Sequence, residues 1–290
     1  MLFQNPDSIR SHATDAPPSP QGAPYPMIVL EPGLGPTIVD YTSLAEDLAS
    51  RGYVVMGLNP THSAAISVVG GWVITQNALG TIAENTPPEG AKRQGDAPVE
   101  VWAADDRFAL DQATRLNADA SSAFAGMLDL RHVGLLGHSF GGAAALEASR
   151  LDTRVAAAAD IDGWPYGVVA RGGLNRPVLV VSSEVGSDAN APGAQAANAA
   201  LAAIVAGAPG DYSVSIDGAR HFNFTDSAVT FSPVERLTGV LGAIDGARGL
   251  QITSAYLGAF FDQTLKGRVS SLLLGASKEY PEVRMTSHQR

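Results

Sequence analysis

The chain has 290 residues, 45% of them hydrophobic and 17% charged, which is enough ordinary globular sequence to bury a large core in one α/β domain. Its 19 Lys and Arg stand against 29 Asp and Glu, a net charge of -10, and no basic run occurs, so neither nucleic acid nor an anionic membrane surface is an expected partner. There is no cysteine, which excludes disulfides, a thiol nucleophile and thiolate metal ligands.

Residues 1–10 lack the apolar core of a signal peptide, and no run approaches the roughly 18 apolar residues of a membrane span. The sequence therefore reads as soluble and, by default, cytoplasmic; a truncated N-terminus would make it secreted. Pro17, Pro18, Pro20, Pro24 and Pro26 make residues 1–26 an extended leader. Residues 27–290 follow as a single catalytic domain. Short β-branched runs come next, predicted as strands at Met27–Leu30, Val54–Leu58, Val133–Leu136, Val155–Ile161, Pro177–Val181 and Val214–Ile216. Each is almost wholly apolar, as strands covered on both faces of a parallel sheet must be. Helices are predicted between and after them, at Asp40–Ser50, Val99–Leu116, Phe140–Arg150 and Gln251–Leu265. Asp105, Asp106 and Arg107 read as the solvated face of the second helix, and residues 63–96 as an excursion over the sheet. This alternation predicts a doubly wound, mostly parallel α/β sheet with helices on both faces, the α/β-hydrolase fold.

The most informative segment is Gly137-His138-Ser139-Phe140-Gly141-Gly142, a G-x-S-x-G that follows an apolar strand and opens a helix of small residues. The serine must sit on a tight strand-to-helix turn to expose its hydroxyl, and side chains at Gly137 and Gly141 would clash. The Phe140 amide, at the helix start, can then donate to a developing oxyanion. Serine needs a base within hydrogen-bond reach. His12 and His288 lie near the ends, His132 precedes the nucleophile strand, and His138 belongs to the turn and points away from the hydroxyl. His62 follows the second strand and is a candidate for the pocket. His221, just past the run ending at Ile216, stands where the base is expected.

Three carboxylates compete as the group that orients the histidine. Asp162 ends the strand after the nucleophile helix, while Glu184 and Asp188 follow the next one. Asp160 shares Asp162's strand parity and is expected to be a structural carboxylate accepting backbone bonds. The first strand runs into Pro32-Gly33-Leu34-Gly35-Pro36; Ile38 occupies the third glycine position of a dinucleotide fingerprint, so the segment reads as an oxyanion loop offering the Leu34 amide.

These residues resemble the platelet-activating factor acetylhydrolase family, the plasma and type II esterases. Pro32-Gly33-Leu34-Gly35, Gly137–Gly142, Asp162-Gly163-Trp164 and His221-Phe222-Asn223-Phe224-Thr225-Asp226 carry the resemblance across roughly residues 25–265. It implies calcium-independent hydrolysis of short or oxidised acyl esters, including the sn-2 acetyl group of an ether phospholipid. It further implies Ser139, Asp162 and His221 as triad, and Leu34 and Phe140 as oxyanion donors. Trp164, Tyr166, Phe222 and Phe224 would wall in the acyl group. Pro32 stands where many members have His, and members carry further strands and a surface segment upstream. A cutinase-like polyesterase shares the elbow and the tryptophan, but its acid follows the later strand. A non-catalytic scaffold that binds a ligand is the reading of another class. No HExxH or clustered histidines occur, so neither metal nor cofactor is expected. The expected partner is a small ester or lipid substrate, and oligomeric state stays open.

Overall fold

The computed structural model describes residues 11–82, 88–184, 194–207, 210–231 and 237–288, and all structural statements concern these. Along the chain come β1 (Tyr25–Glu31), α1 (Thr42–Ser50), β2 (Val54–Gly57), a hairpin of β3 (Ile66–Val69) and β4 (Trp72–Thr75), α2 (Pro88–Ala118), β5 (Leu128–His138), α3 (Phe140–Leu151), β6 (Val155–Ile161), the short α4 (Val169–Gly172), β7 (Val178–Ser183), α5 (Ala194–Gly207), β8 (Asp211–Ile216), the short α6 (Ser227–Thr230), α7 (Gly246–Lys266) and β9 (Val283–His288). Seven strands form one sheet in the order β2-β1-β5-β6-β7-β8-β9. All neighbours run parallel except β9, which lies antiparallel on β8.

Alternate residues of β1 enter different cores, which is what makes the fold doubly wound. Ile28 and Leu30 pack with Leu44 and Leu48 of α1 and with Ile252, Tyr256 and Phe260 of α7. Met27 and Val29 instead face Ala103, Leu110 and Ala113 of α2 and Ala145 and Ala148 of α3. A third cluster joins Val178 and Val180 to Leu201 and Ile204 of α5. The arrangement is an α/β-hydrolase fold.

Helix α7 has clear local causes. Asp245 caps it by accepting the Arg248 amide at 3.0 Å, and Gly267 ends it in the left-handed region at φ 67°. Between them Ile252, Tyr256, Leu257, Phe260, Phe261 and Leu265 recur at helical spacing and are buried. Each such side chain contributes on the order of 1.5–3 kcal/mol by leaving water.

The structure departs from the sequence reading in several places. Strand β7 extends through Ser183, past the predicted end at Val181, so Glu184 follows it directly. The 63–96 segment contains the β3–β4 hairpin and the first turns of α2. Asp105 and Arg107 are exposed as expected, but Asp106 is buried. With Trp102, Ala103, Ala109 and Leu110 already on the inner side of α2, position 106 falls on the same face by helical spacing. Its carboxylate makes no hydrogen bond there, nor does that of buried Glu31. Burial first, and mutual repulsion second, push the Glu31 carboxyl well above its ordinary value; burial and Asp105 do the same to Asp106.

Candidate active site

The elbow and its neighbours meet at the C-terminal ends of β1, β5, β6 and β7, where ligands bind in open α/β sheets. Ser139 joins β5 to α3 at φ 56° and ψ -120°, a backbone state that costs a non-glycine residue on the order of 1–3 kcal/mol. Glycines make room for this turn. A Cβ on Gly137 would stand 2.1 Å from the Gly141 carbonyl carbon, and one on Gly141 2.3 Å from the Pro32 carbonyl oxygen. Neither contact is sterically possible, so the elbow presses directly against the Pro32–Gly35 loop, the expected oxyanion loop.

Asp162 directly follows β6 and also has positive φ, at 53°. Its Oδ2 lies 2.7 Å from His221 Nδ1, and its Oδ1 accepts the Ser183 amide at 2.7 Å. Burial alone would raise this carboxyl. The His221 hydrogen bond and charge, together with the Ser183 amide, outweigh it and hold the carboxyl below its ordinary value. Asp160, two residues earlier, accepts the Gly163 amide at 3.0 Å, as a structural carboxylate would. Glu184 is drawn elsewhere. Its Oε2 accepts the Gly218 amide at 2.8 Å, and its own amide donates to Ala219 O at 3.1 Å, bracing the loop that leads to His221. Asp188 lies outside the described residues.

His138 is fully buried and does point away from the cavity. Its Nε2–H donates to the His221 carbonyl oxygen at 3.1 Å, and its Nδ1 accepts from Tyr41 Oη at 2.7 Å. That hydroxyl in turn accepts the Gly33 amide at 2.9 Å. The carbonyl on one side fixes the tautomer: Nε2 must carry the proton, which leaves Nδ1 to accept from the Tyr41 hydroxyl. Burial first, then the nearby His221, depress the His138 pKa to about 3, so the ring stays neutral through the physiological range. One buried chain of hydrogen bonds thus links the oxyanion loop, the elbow and the backbone of His221. Tyr41 stands on a 3-10 turn at Ile38–Tyr41 and had no sequence signal of its own.

Within the oxyanion loop the Gly33 amide goes to Tyr41 and the Gly35 amide to Ser63 O at 3.1 Å. Among the described residues the Leu34 amide between them meets no acceptor, and Phe140 begins α3, where amides have no helical partner. Leu34 and Phe140 both line a cavity of about 690 Å³ that also takes in Ser139, Asp162 and His221. Trp164, Tyr166 and Phe222 form its aromatic wall, with Ile82, Leu201 and Val240 in the apolar lining and Arg220 as a basic side chain among the described lining residues. Two expected pocket residues stand elsewhere. Phe224 is buried in the main core, with its ring 6.2 Å from that of His138. His62 is exposed at φ 71° and its Nδ1 lies 3.0 Å from Asn77 Nδ2. The bond from the Ser139 hydroxyl to the imidazole is not made; in free enzymes such contacts are often long until substrate arrives. No three His, Cys, Asp or Glu side chains among the described residues are grouped to hold a metal ion.

Residues 112–270, more than half of the chain, match the family described as platelet-activating factor acetylhydrolase, isoform II. The chain belongs to this family. The matched stretch contains Ser139, Asp162 and His221. Among curated proteins, the chain is 27% identical over 272 residues to a probable 1-alkyl-2-acetylglycerophosphocholine esterase of Arthroderma benhamiae, covering 89% of this chain and 65% of that one. It is 24% identical over 191 residues to the platelet-activating factor acetylhydrolase of Cavia porcellus, covering 60% of this chain and 43% of that one. The chain thus spans less than two thirds of the length of either relative. Among solved structures, a ferulic acid esterase from Streptomyces cinnamoneus superposes with a TM-score of 0.75 at 31% identity, over 93% of this chain and 75% of that one. Among the described residues, no helix is long and apolar enough to cross a membrane.

Proposed function

We propose that residues 27–290 form one catalytic unit that hydrolyses carboxylic esters of short acyl chains through a covalent acyl-enzyme. The observation that carries this is the shared placement of a strained serine, an Asp-held histidine and two unengaged amides around one apolar cavity. In the first half-reaction His221 takes the Ser139 proton as Oγ attacks the ester carbonyl. The carbonyl oxygen, now anionic, draws on the Leu34 and Phe140 amides. Collapse expels the alkoxide, which leaves with the proton carried by His221. Water then repeats the sequence on the acyl-enzyme and returns free Ser139 and the carboxylic acid. Asp162 accepts the Nδ1–H, keeps Nε2 facing the serine and stabilises the imidazolium.

Trp164, Tyr166 and Phe222 favour a compact acyl group seated against the wall. The names of the two curated relatives point the same way, to the acetyl ester of an ether phospholipid as a substrate to try first. Family membership and the esterase neighbour weigh against the non-catalytic scaffold. The Asp162 bond to His221 and the diversion of Glu184 weigh against the acid position of a cutinase-like polyesterase.

Turnover of one small ester by purified variants tests the assignment. Asp162→Asn is expected to lose roughly two to four orders of magnitude in kcat, as amide replacement of an orienting carboxylate does. Glu184→Gln is expected to stay within about tenfold of the parent, since it braces a loop without touching the ring. A nearly intact Asp162→Asn beside a crippled Glu184→Gln would move the acid to the later strand.

A further inference from the structure

Among the described residues, the β3–β4 hairpin concentrates exposed large hydrophobic side chains, at Ile66, Val68, Val69, Trp72 and Val73, and none of the chemistry above uses it. Its register pairs Val68 with Val73 and Val69 with Trp72. Successive pairs point to opposite faces of a hairpin. Yet all four residues are exposed: Val68 at 68%, Val73 at 67%, Val69 at 50% and Trp72 at 77%. Among the described residues the distal half is therefore covered on neither face; it projects as a finger ending at Gly70-Gly71.

The base, by contrast, is pinned. Asn59 Nδ2 donates to Ile66 O at 2.8 Å and to Ser67 Oγ at 2.9 Å, and Gln76 Nε2 donates to Ser63 O at 2.9 Å. Ser63 to Ala65 are joined to the oxyanion loop, since Gly35 donates to Ser63 O and Ala65 donates to Gly35 O at 2.7 Å. The base of the finger is consequently tied to Gly35, the residue that follows cavity-lining Leu34. Charge is absent as well: no Asp, Glu, Lys or Arg occurs between Arg51 and Glu84.

From this we infer that the hairpin is an interfacial anchor that dips into an uncharged or zwitterionic ester or lipid surface and brings the active site to aggregated substrate. A second copy laid against one face would leave the other face's valines or tryptophan in water, whereas insertion covers both. The tip from Val68 to Val73 reaches on the order of 7–10 Å beyond the pinned base, the depth of the headgroup–acyl boundary. Deeper entry is opposed by the unpaired outer edges of a two-stranded ribbon. Trp72 at the tip suits this boundary, where an aromatic body meets apolar chains and its N–H stays wet. The net charge of -10 selects against anionic surfaces. The inference takes its purpose from the ester-hydrolase reading, but binding to a surface does not require turnover.

The test measures partition of the full chain onto unilamellar vesicles of zwitterionic phosphatidylcholine by flotation, with tryptophan emission recorded in parallel. The parent is expected to bind with a blue-shifted emission and little dependence on salt. Trp72→Ser/Val73→Ser, at sites that bear no packing load, is expected to bind at least tenfold more weakly. Anionic vesicles are expected to bind the parent less well than zwitterionic ones. The proposal is overturned if the parent does not partition at millimolar lipid or if the double variant partitions like the parent. It is equally overturned if sedimentation finds a parent dimer that the double variant dissolves, which would make the finger an interface between copies. Labelling of the parent by a water-soluble fluorophosphonate, read without lipid, reports separately on the ester-hydrolase reading.

Discussion

Removing one hydroxyl, by Tyr41→Phe, should damage both stability and catalysis although Tyr41 touches no substrate. The ring volume is kept, so packing is nearly constant and the hydrogen bonds are what change. Tyr41 Oη receives the Gly33 amide at 2.9 Å and donates to His138 Nδ1 at 2.7 Å, in a site where Tyr41 and His138 are both buried. The phenylalanine leaves one donor and one acceptor unsatisfied, at about 1–3 kcal/mol each. The substitution also removes a hydroxyl that was itself costly to bury, so the net loss is about 2–4 kcal/mol. For a chain of this size that lowers Tm by about 3–7 °C. The same change frees Gly33 beside the Leu34 amide and loosens His138, which holds the His221 carbonyl at 3.1 Å. Because both effects act on transition-state geometry, kcat should fall by at least tenfold while KM changes little. Thermal unfolding and steady-state turnover on a small ester, measured on the same preparation, decide it. A Tyr41→Phe enzyme with Tm within about 1 °C and kcat within twofold of the parent would refute the reasoning, since both figures rest on those two bonds.

The buried pair Glu31 and Asp106 sets a pH dependence. Both folded carboxyls are held above their ordinary values, so the folded state keeps protons that the unfolded chain has released, and stability falls as pH rises from the ordinary carboxylate range toward the folded pKa values. Glu31→Gln should flatten that fall in urea unfolding across a pH series; an unchanged slope would contradict it. Gly141→Ala places a methyl 2.3 Å from the Pro32 carbonyl oxygen and should cost about 1–3 kcal/mol and most of the activity, and a variant with the parent's unfolding midpoint and kcat would contradict the close approach. Rates on acetyl, butyryl and palmitoyl esters at equal monomer concentration should fall with chain length, and a faster palmitoyl ester would remove the short-acyl proposal.

The central strands were legible because residues such as Val155–Ile161 are buried on both faces and carry almost no polar signal to confuse the period. Helix α5, with nine alanines and glycines among its fourteen residues, has no polar stripe to mark it and went unread. Strand β9 alternates apolar and polar residues near the C-terminus and shows its register only once β8 is beside it. Asp106 misled because a run of charges looks solvated until the helix is phased by its apolar neighbours. Within the site, Ser139 and His221 were singled out by motif and chain order, whereas Asp162 was one of three rival carboxylates until the family resemblance favoured it; the structure brings all three to one cavity. Tyr41 was not. It meets His138 across 97 positions, and nothing local to either residue announces that bond.

The claim on which the account turns is a covalent step at Ser139. The direct measurement is intact-protein and peptide mass spectrometry after treatment with a fluorophosphonate, on the parent and on Ser139→Ala. A single adduct located on Ser139, with neither adduct nor ester turnover in the alanine variant, is the predicted result. Stoichiometric labelling of Ser139→Ala, or undiminished ester hydrolysis by it, would contradict the account.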